Sequence, residues 1–267
     1  MSHPLITSIN QAVSQKIAYV EKNPGKYLIR AAFAGLYLTL AGVVSLYVSA
    51  NFMEEAAHWG KLLNGFIFGI GLVIIVFMGA ELATSNMMYL TSAALQKRIK
   101  WSQGFKLLIW CSLGNLLGCL LTAYLLSLAS PFQGLSDDAY LFTAVSGKIS
   151  KPILTLFVDG ILANILVNIA IMGQMQLKNE MARMAFMVCS LFVFVYFGFE
   201  HVVANFGSFS LAYFLGSGQS SMINLGNILL AWLIVYLGNF IGGGLIMGAT
   251  NTWFYTSKED QMIDRVP

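Results

Sequence analysis

Six stretches of about twenty or more apolar residues, at 28 to 50, 62 to 80, 107 to 130, 153 to 173, 184 to 214 and 225 to 250, restrict this chain more than any other feature. A helix crosses a bilayer with about 20 apolar residues. An open strand in hydrocarbon would leave backbone groups unpaired, so each stretch is predicted as a helix. Only 10% of the residues are charged and 57% are hydrophobic. A soluble domain carries roughly 25% charge, so an aqueous home is all but excluded. The expected fold class is all-α, a polytopic membrane protein with six transmembrane helices.

The distribution of basic residues orients the chain. With the N-terminus in the cytoplasm, the inner segments hold Lys16, Lys22, Lys26, Arg30, Lys97, Arg98, Lys100, Lys106, Lys178, Arg183, Lys258 and Arg265. Only Lys61, Lys148 and Lys151 are then outside, so both termini are expected to be cytoplasmic. The net charge of +3 comes with no basic aromatic patch, and no nucleic-acid partner is expected. Residues 1–27 read as an amphipathic cytoplasmic segment, with Leu5, Ile6, Ile9, Ala12, Val13, Ile17 and Val20 at helical spacing and Asn23-Pro24-Gly25 as the stop. They lack the early apolar core and cleavage site of a signal peptide. Residues 28–256 form one expected transmembrane domain, and 257–267 a cytoplasmic tail. Cys111, Cys119 and Cys189 lie in apolar stretches without a CxxC pattern or a histidine neighbour, and read as small buried hydrophobes.

Two stretches carry polar residues at depth. The second continues as GAELATSNMMYLT over 79–91, and the fifth holds Glu200, His201 and Asn205 in its middle. The two resemble each other, Gly79-x-Glu81 with Asn86 matching Gly198-x-Glu200 with Asn205. A GNxxG pattern closes both halves, at Gly114-Asn115 and Gly238-Asn239. Ala34-Gly35-Leu36 against Asp159-Gly160-Ile161 supplies a third echo. Three crossings per half force the second half to enter from the opposite side. The expectation is therefore an inverted three-helix repeat, about 28–130 and 149–256, with broken second and fifth helices.

Ionisable groups at such depth normally face a pore or the protein interior. Glu81 and Glu200 are expected to be structural, accepting hydrogen bonds from amides freed at the breaks, with Asn86 beside the first. His201 is the only histidine inside a crossing. It is either a satisfied buried histidine or a route-lining one, and the neighbouring Glu200 and Asn205 favour the second. Lys148 can be a solvated loop charge or an outer-vestibule cation that concentrates anions, with Lys151 as its competitor. Phe68, Leu72, Leu82 and Phe194 lie near the breaks as core or as constrictions. No GxGxxG, Walker, HExxH, CxxCH or GxSxG pattern is present, so no enzymatic activity, cofactor or metal site is expected.

On four motifs in order, the sequence resembles the formate/nitrite transporter family: GAELATS at 79–85, GILANILV at 160–167, FGFEHVVANF at 197–206 and GNFIGGG at 238–244. The resemblance implies a homopentamer of aquaporin-like protomers in a bacterial or archaeal cytoplasmic membrane, each protomer with its own pore for small monovalent anions. It implies a pore histidine at His201, a loop threonine at Thr84, an asparagine at Asn205, hydrophobic constrictions at Leu82 and Phe194 with Phe68 and Leu72 as further lining, and a vestibular lysine at Lys148. One departure is Ala83, where many formate and nitrite members carry phenylalanine before the threonine. The smaller side chain leaves more room beside Thr84 and speaks against formate or nitrite, and the overall pattern resembles the family's hydrosulfide branch. The expected function is a channel for weak-acid anions, preferentially hydrosulfide, with formate or nitrite as further substrates. The rival readings are a channel for water or small neutral solutes and a non-transporting membrane assembly protein.

Overall fold

The computed structural model describes residues 3–216, 218 and 220–256. In chain order the helices are α1 (Pro4–Lys22), α2 (Pro24–Met53), α3 (Ala57–Phe77), α4 (Ala83–Leu95), α5 (Trp101–Ser127), α6 (Tyr140–Ile149), α7 (Ile153–Gln176), α8 (Glu180–Phe197), α9 (Val202–Phe214), α10 (Leu225–Phe240) and α11 (Thr250–Thr256). A π-helical segment, Ile241–Ala249, joins the last two. No strand occurs among the described residues. Six helical spans, α2, α3, α5, α7, α8 and Leu225–Thr256, are long and apolar enough to cross a membrane. The chain is a multi-pass membrane protein of all-α, aquaporin-like architecture. Three spans separate α1 from α6, so these two helices lie at opposite ends of the bundle.

The expectation that the second and fifth helices are broken is corrected. Both are continuous spans, of 21 and 18 residues. Each ends outright at a glycine of left-handed backbone, Gly79 (φ 64°) or Gly198 (φ 72°), and a separate 13-residue helix follows after a short link. Only glycine takes that conformation without strain, which is why both spans stop there. The span with the interrupted helical ladder is the sixth, where residues 241–249 widen to π geometry. The cause is its glycine run. A side chain at Gly243 would collide with the Asn164 amide, one at Gly244 would press on Thr91, and one at Gly248 would meet the backbone of Met88. Without side chains, this segment lies flat between α4 and α7 in a widened turn.

The GNxxG patterns explain how the long helices pack. On α5, a Cβ at Gly114 would overlap the Leu28 carbonyl and the Ala31 side chain, and one at Gly118 the Ala32 carbonyl of α2. On the α10 span, Gly238 and Gly242 stand in the same relation to the Phe157 and Ile161 carbonyls of α7. These contacts pair Ala31-Ala32 with Gly160-Ile161. They replace the third sequence echo, because Gly35 packs instead on the Asn115 and Cys119 backbone. Gly118→Ala should therefore destabilise the protein by about 1–3 kcal/mol through overpacking. Gly147→Ala, with nothing within 4 Å of the added carbon, should not. Thermal unfolding in detergent compares them, and equal melting of the two variants would refute the close-packing account.

The N-terminal helix α1 begins with His3, whose Nδ1 accepts the Leu5 amide at 3.2 Å, and it stops at Asn23-Pro24. Leu5, Ile6, Ile9, Val13 and Val20 are buried against α2, α4, α5 and α7. Cys111 and Cys119 are buried, whereas Cys189 is exposed on α8, which corrects the buried reading for that residue. The expected tail at 257–267 lies outside the described residues.

Candidate functional site

The links after α3 and α8 are built alike. The Glu81 amide donates to the Arg30 carbonyl of α2, and the Glu200 amide to the Asp159 carbonyl of α7. A side-chain amide then clamps each link. Asn115 accepts the Ala83 amide at 2.8 Å and donates to the Glu81 and Ala31 carbonyls. Asn239 accepts the Val202 amide at 2.9 Å and donates to the Glu200 and Gly160 carbonyls. A helix start leaves free amides, and buried ones need partners. The glycines of GNxxG bring the helix backbones close enough for a short asparagine side chain to provide them.

The carboxylates have other partners than expected. Neither takes an amide freed at its link; their donors are side chains. Glu81 accepts from Lys16 of α1 at 2.5 Å, from Tyr27 and from Asn86 at 3.2 Å. Glu200, whose side chain is wholly buried, accepts from Lys148 at 2.8 Å, Lys151 at 2.7 Å and Asn205 at 2.9 Å. The carbonyls of the turn glycines are held by cations as well, Gly79 by Arg30 and Gly198 by Lys151. Lys151 also pairs with Asp159 at 2.7 Å. Burial opposes its charge, but Glu200 and Asp159 more than offset this and raise its pKa. Lys16 therefore corresponds to Lys148, and Arg30 to Lys151, at opposite ends of the bundle.

Between the two links, the starts of α4 and α9 meet. The Thr84 Oγ1 and His201 Nε2 are 2.8 Å apart, and both residues are buried. His201 caps α9, its Nδ1 accepting the Ala204 amide at 3.2 Å. That bond assigns the neutral ring with its proton on Nε2, which donates to the threonine hydroxyl. The Thr84 carbonyl is anchored by Asn164 at 3.1 Å and by Asn168.

On the α6 side a cavity of about 310 Å³ opens down to His201, lined also by Lys148, Lys151, Asn205, Phe68 and Phe194. Beyond it, Phe68, Leu72, Leu82 and Phe194, together with Leu38, Val167 and Leu191, line a space of about 10 Å³ against His201, room for no more than one water. The Phe68 and Phe194 rings meet edge to face, with centroids 5.5 Å apart. Asn86 lies away from this space, in the Glu81, Tyr27 and Cys111 cluster toward α1.

The sequence profile described as formate/nitrite transporter matches residues 5–253. The chain belongs to that family. It is a membrane transport protein, not an enzyme. Among relatives of the family, a Bacillus subtilis protein named an uncharacterized transporter, YwcJ, is 30% identical over 88% of this chain and 90% of its own length. The Escherichia coli nitrite transporter NirC is 29% identical over 90% of this chain and 87% of its own. The formate channel FocA of the same organism is 30% identical over 90% of both. A solved structure described as an FNT family ion channel superposes with a TM-score of 0.86 at 28% identity, covering 95% of this chain and 99% of that one.

Within this family member, the structure brings His201, Thr84, Leu82, Phe194, Phe68 and Leu72 to one place. Asn205 and Lys148 join His201 along the cavity wall. Sequence reasoning missed the positioning residues: Asn164 and Asn168 behind Thr84, Asn115 and Asn239 at the links, and Lys16 on Glu81. The repeated GNxxG pattern marked two of them, but assigned its asparagine no partner.

Proposed function

We propose that the chain is a channel for small monovalent weak-acid anions, with hydrosulfide as its preferred substrate and formate and nitrite as further ones. The observation that carries this reading is the Thr84–His201 hydrogen bond, with His201 set against apolar side chains at the foot of a lysine-bearing cavity. Hydrated ions do not fit beside those side chains, and stripping an ion of water there is expensive. A solute able to shed charge by taking up a proton avoids most of that cost. At the narrow point, Thr84 accepts from His201 and keeps its own proton to donate to the solute. Two helix starts facing one another add favourable potential for negative charge. Leu82, Leu72, Phe68 and Phe194 exclude water, Asn205 continues the cavity wall, and Lys148 on that wall pairs with the buried Glu200 behind it.

The names of NirC and FocA support the class of anion. The preference for hydrosulfide rests on the small, buried Ala83 next to Thr84 and on a conjugate acid that forms readily near neutral pH. We further propose a homopentamer with both termini cytoplasmic. Many exposed large apolar side chains, among them Phe33, Ile109, Leu117 and Leu233, provide faces for lipid and for neighbouring protomers.

Purified protein in proteoliposomes should take up hydrosulfide faster than formate or nitrite, and all three faster than chloride, in an uptake series at two pH values. Flux no greater than in empty vesicles would reject the channel. Faster formate or nitrite uptake would reject the hydrosulfide preference. Water flux without anion flux would establish the neutral-solute reading instead.

A further inference from the structure

The cavity leading to His201 has three lysines on its wall, Lys61, Lys148 and Lys151. Two of them are already neutralised. Lys148 lies 2.8 Å from Glu200, and Lys151 bridges Glu200 and Asp159 at 2.7 Å each. Two ammonium groups and two carboxylates cancel, so this cluster projects a small field at the mouth of the cavity. Removing Lys148 would expose a buried carboxylate rather than reveal an attracting charge.

We infer that Lys61 supplies the net positive charge that gathers anions at the cavity mouth and starts them toward His201. It is exposed, lines the cavity, and has no ion pair among the described residues. No carboxylate lines the cavity; the nearby acids Glu54, Glu55, Asp137 and Asp138 are exposed outside its wall. The placement on α3 is directional. Lys61, Asn64, Phe68 and Leu72 recur at three- and four-residue spacing and so share one face, and that face runs from the cavity mouth to the apolar gap. Lys61 does not serve the helix itself. A cation near a helix start works against the helix dipole, and α3 has no acid in its first turn to pair with it.

The inference rests on the anion-channel reading, and one experiment separates the two. In proteoliposomes at low ionic strength, Lys61→Gln should raise the KM for formate or hydrosulfide uptake about threefold, the effect of one unit charge acting over about 7 Å of water. Lys61→Glu should raise it about ninefold, and Lys61→Arg should match the wild type. At about 0.5 M salt the differences should vanish, because screening shortens the reach of exposed charges to a few ångströms. The maximal rate should not change, since Lys61 is remote from the gap. A wild-type protein that conducts anions, with Lys61→Gln unchanged at low salt, would overturn the role of Lys61 alone. An effect that persists at high salt would also overturn it. Wild-type vesicles that conduct no anion would overturn the channel reading and this inference together.

Discussion

Replacing Glu200 by Leu should lower stability by about 3–5 kcal/mol, the cost of leaving one side of a buried charge cluster uncompensated. The Glu200 side chain is fully buried, and the Lys148 and Lys151 side chains are only 29% and 24% exposed. Lys151 would keep Asp159, but Lys148 would have no counter-charge. Melting in detergent should fall by roughly 10 °C for a chain of this length. Adding Lys148→Met should restore more than half of the loss, because an apolar pair of similar volume needs no counter-charge. The matching change on the α1 side, Glu81→Leu, should cost less, since Glu81 faces one lysine and its side chain is 10% exposed. Glu200→Leu melting within about 2 °C of the wild type would show that the cluster does not hold the second link in place.

Anion uptake by His201→Phe should lose its pH dependence and fall about tenfold at neutral pH, the worth of one hydrogen bond of about 1.4 kcal/mol at the narrow point. Phenylalanine keeps an aromatic ring beside Phe194, whose centroid is 6.1 Å from that of His201. It removes the Nε2 donor to Thr84 and the acceptor for the Ala204 amide. Thr84→Val should reduce uptake by a similar factor yet keep the pH response, because the imidazole remains. The pair of variants thus separates proton exchange at the imidazole from hydrogen bonding at the hydroxyl. An unaltered pH profile in His201→Phe would reject any proton role for the ring.

Much of this was legible from residues alone. The length of the apolar stretches announced six crossings, and the rarity of ionisable groups in them singled out Glu81, Glu200 and His201. The partners were not legible. Lys16 and Glu81 are 65 residues apart, and Thr84 and His201 117; spacing in sequence says nothing about contacts made by folding three helices against three. The expected breaks were misplaced for a related reason. Polar residues at depth signal an irregularity but not its form, and the positive-φ glycines end α3 and α8 outright. The π geometry of the sixth span was not legible either, because the contacts that its glycines make with Asn164, Thr91 and Met88 arise only on folding.

Sequence by itself determined that the chain enters a bilayer as helices and which side chains are too polar to face lipid, because transfer into hydrocarbon depends on composition and length. Only the tertiary structure decided which of those polar groups satisfy one another and which are left for a solute. It committed Lys148 and Lys151 to Glu200 and left Lys61 without an ion pair among the described residues, a division that depends on distances of a few ångströms between helices remote in the chain.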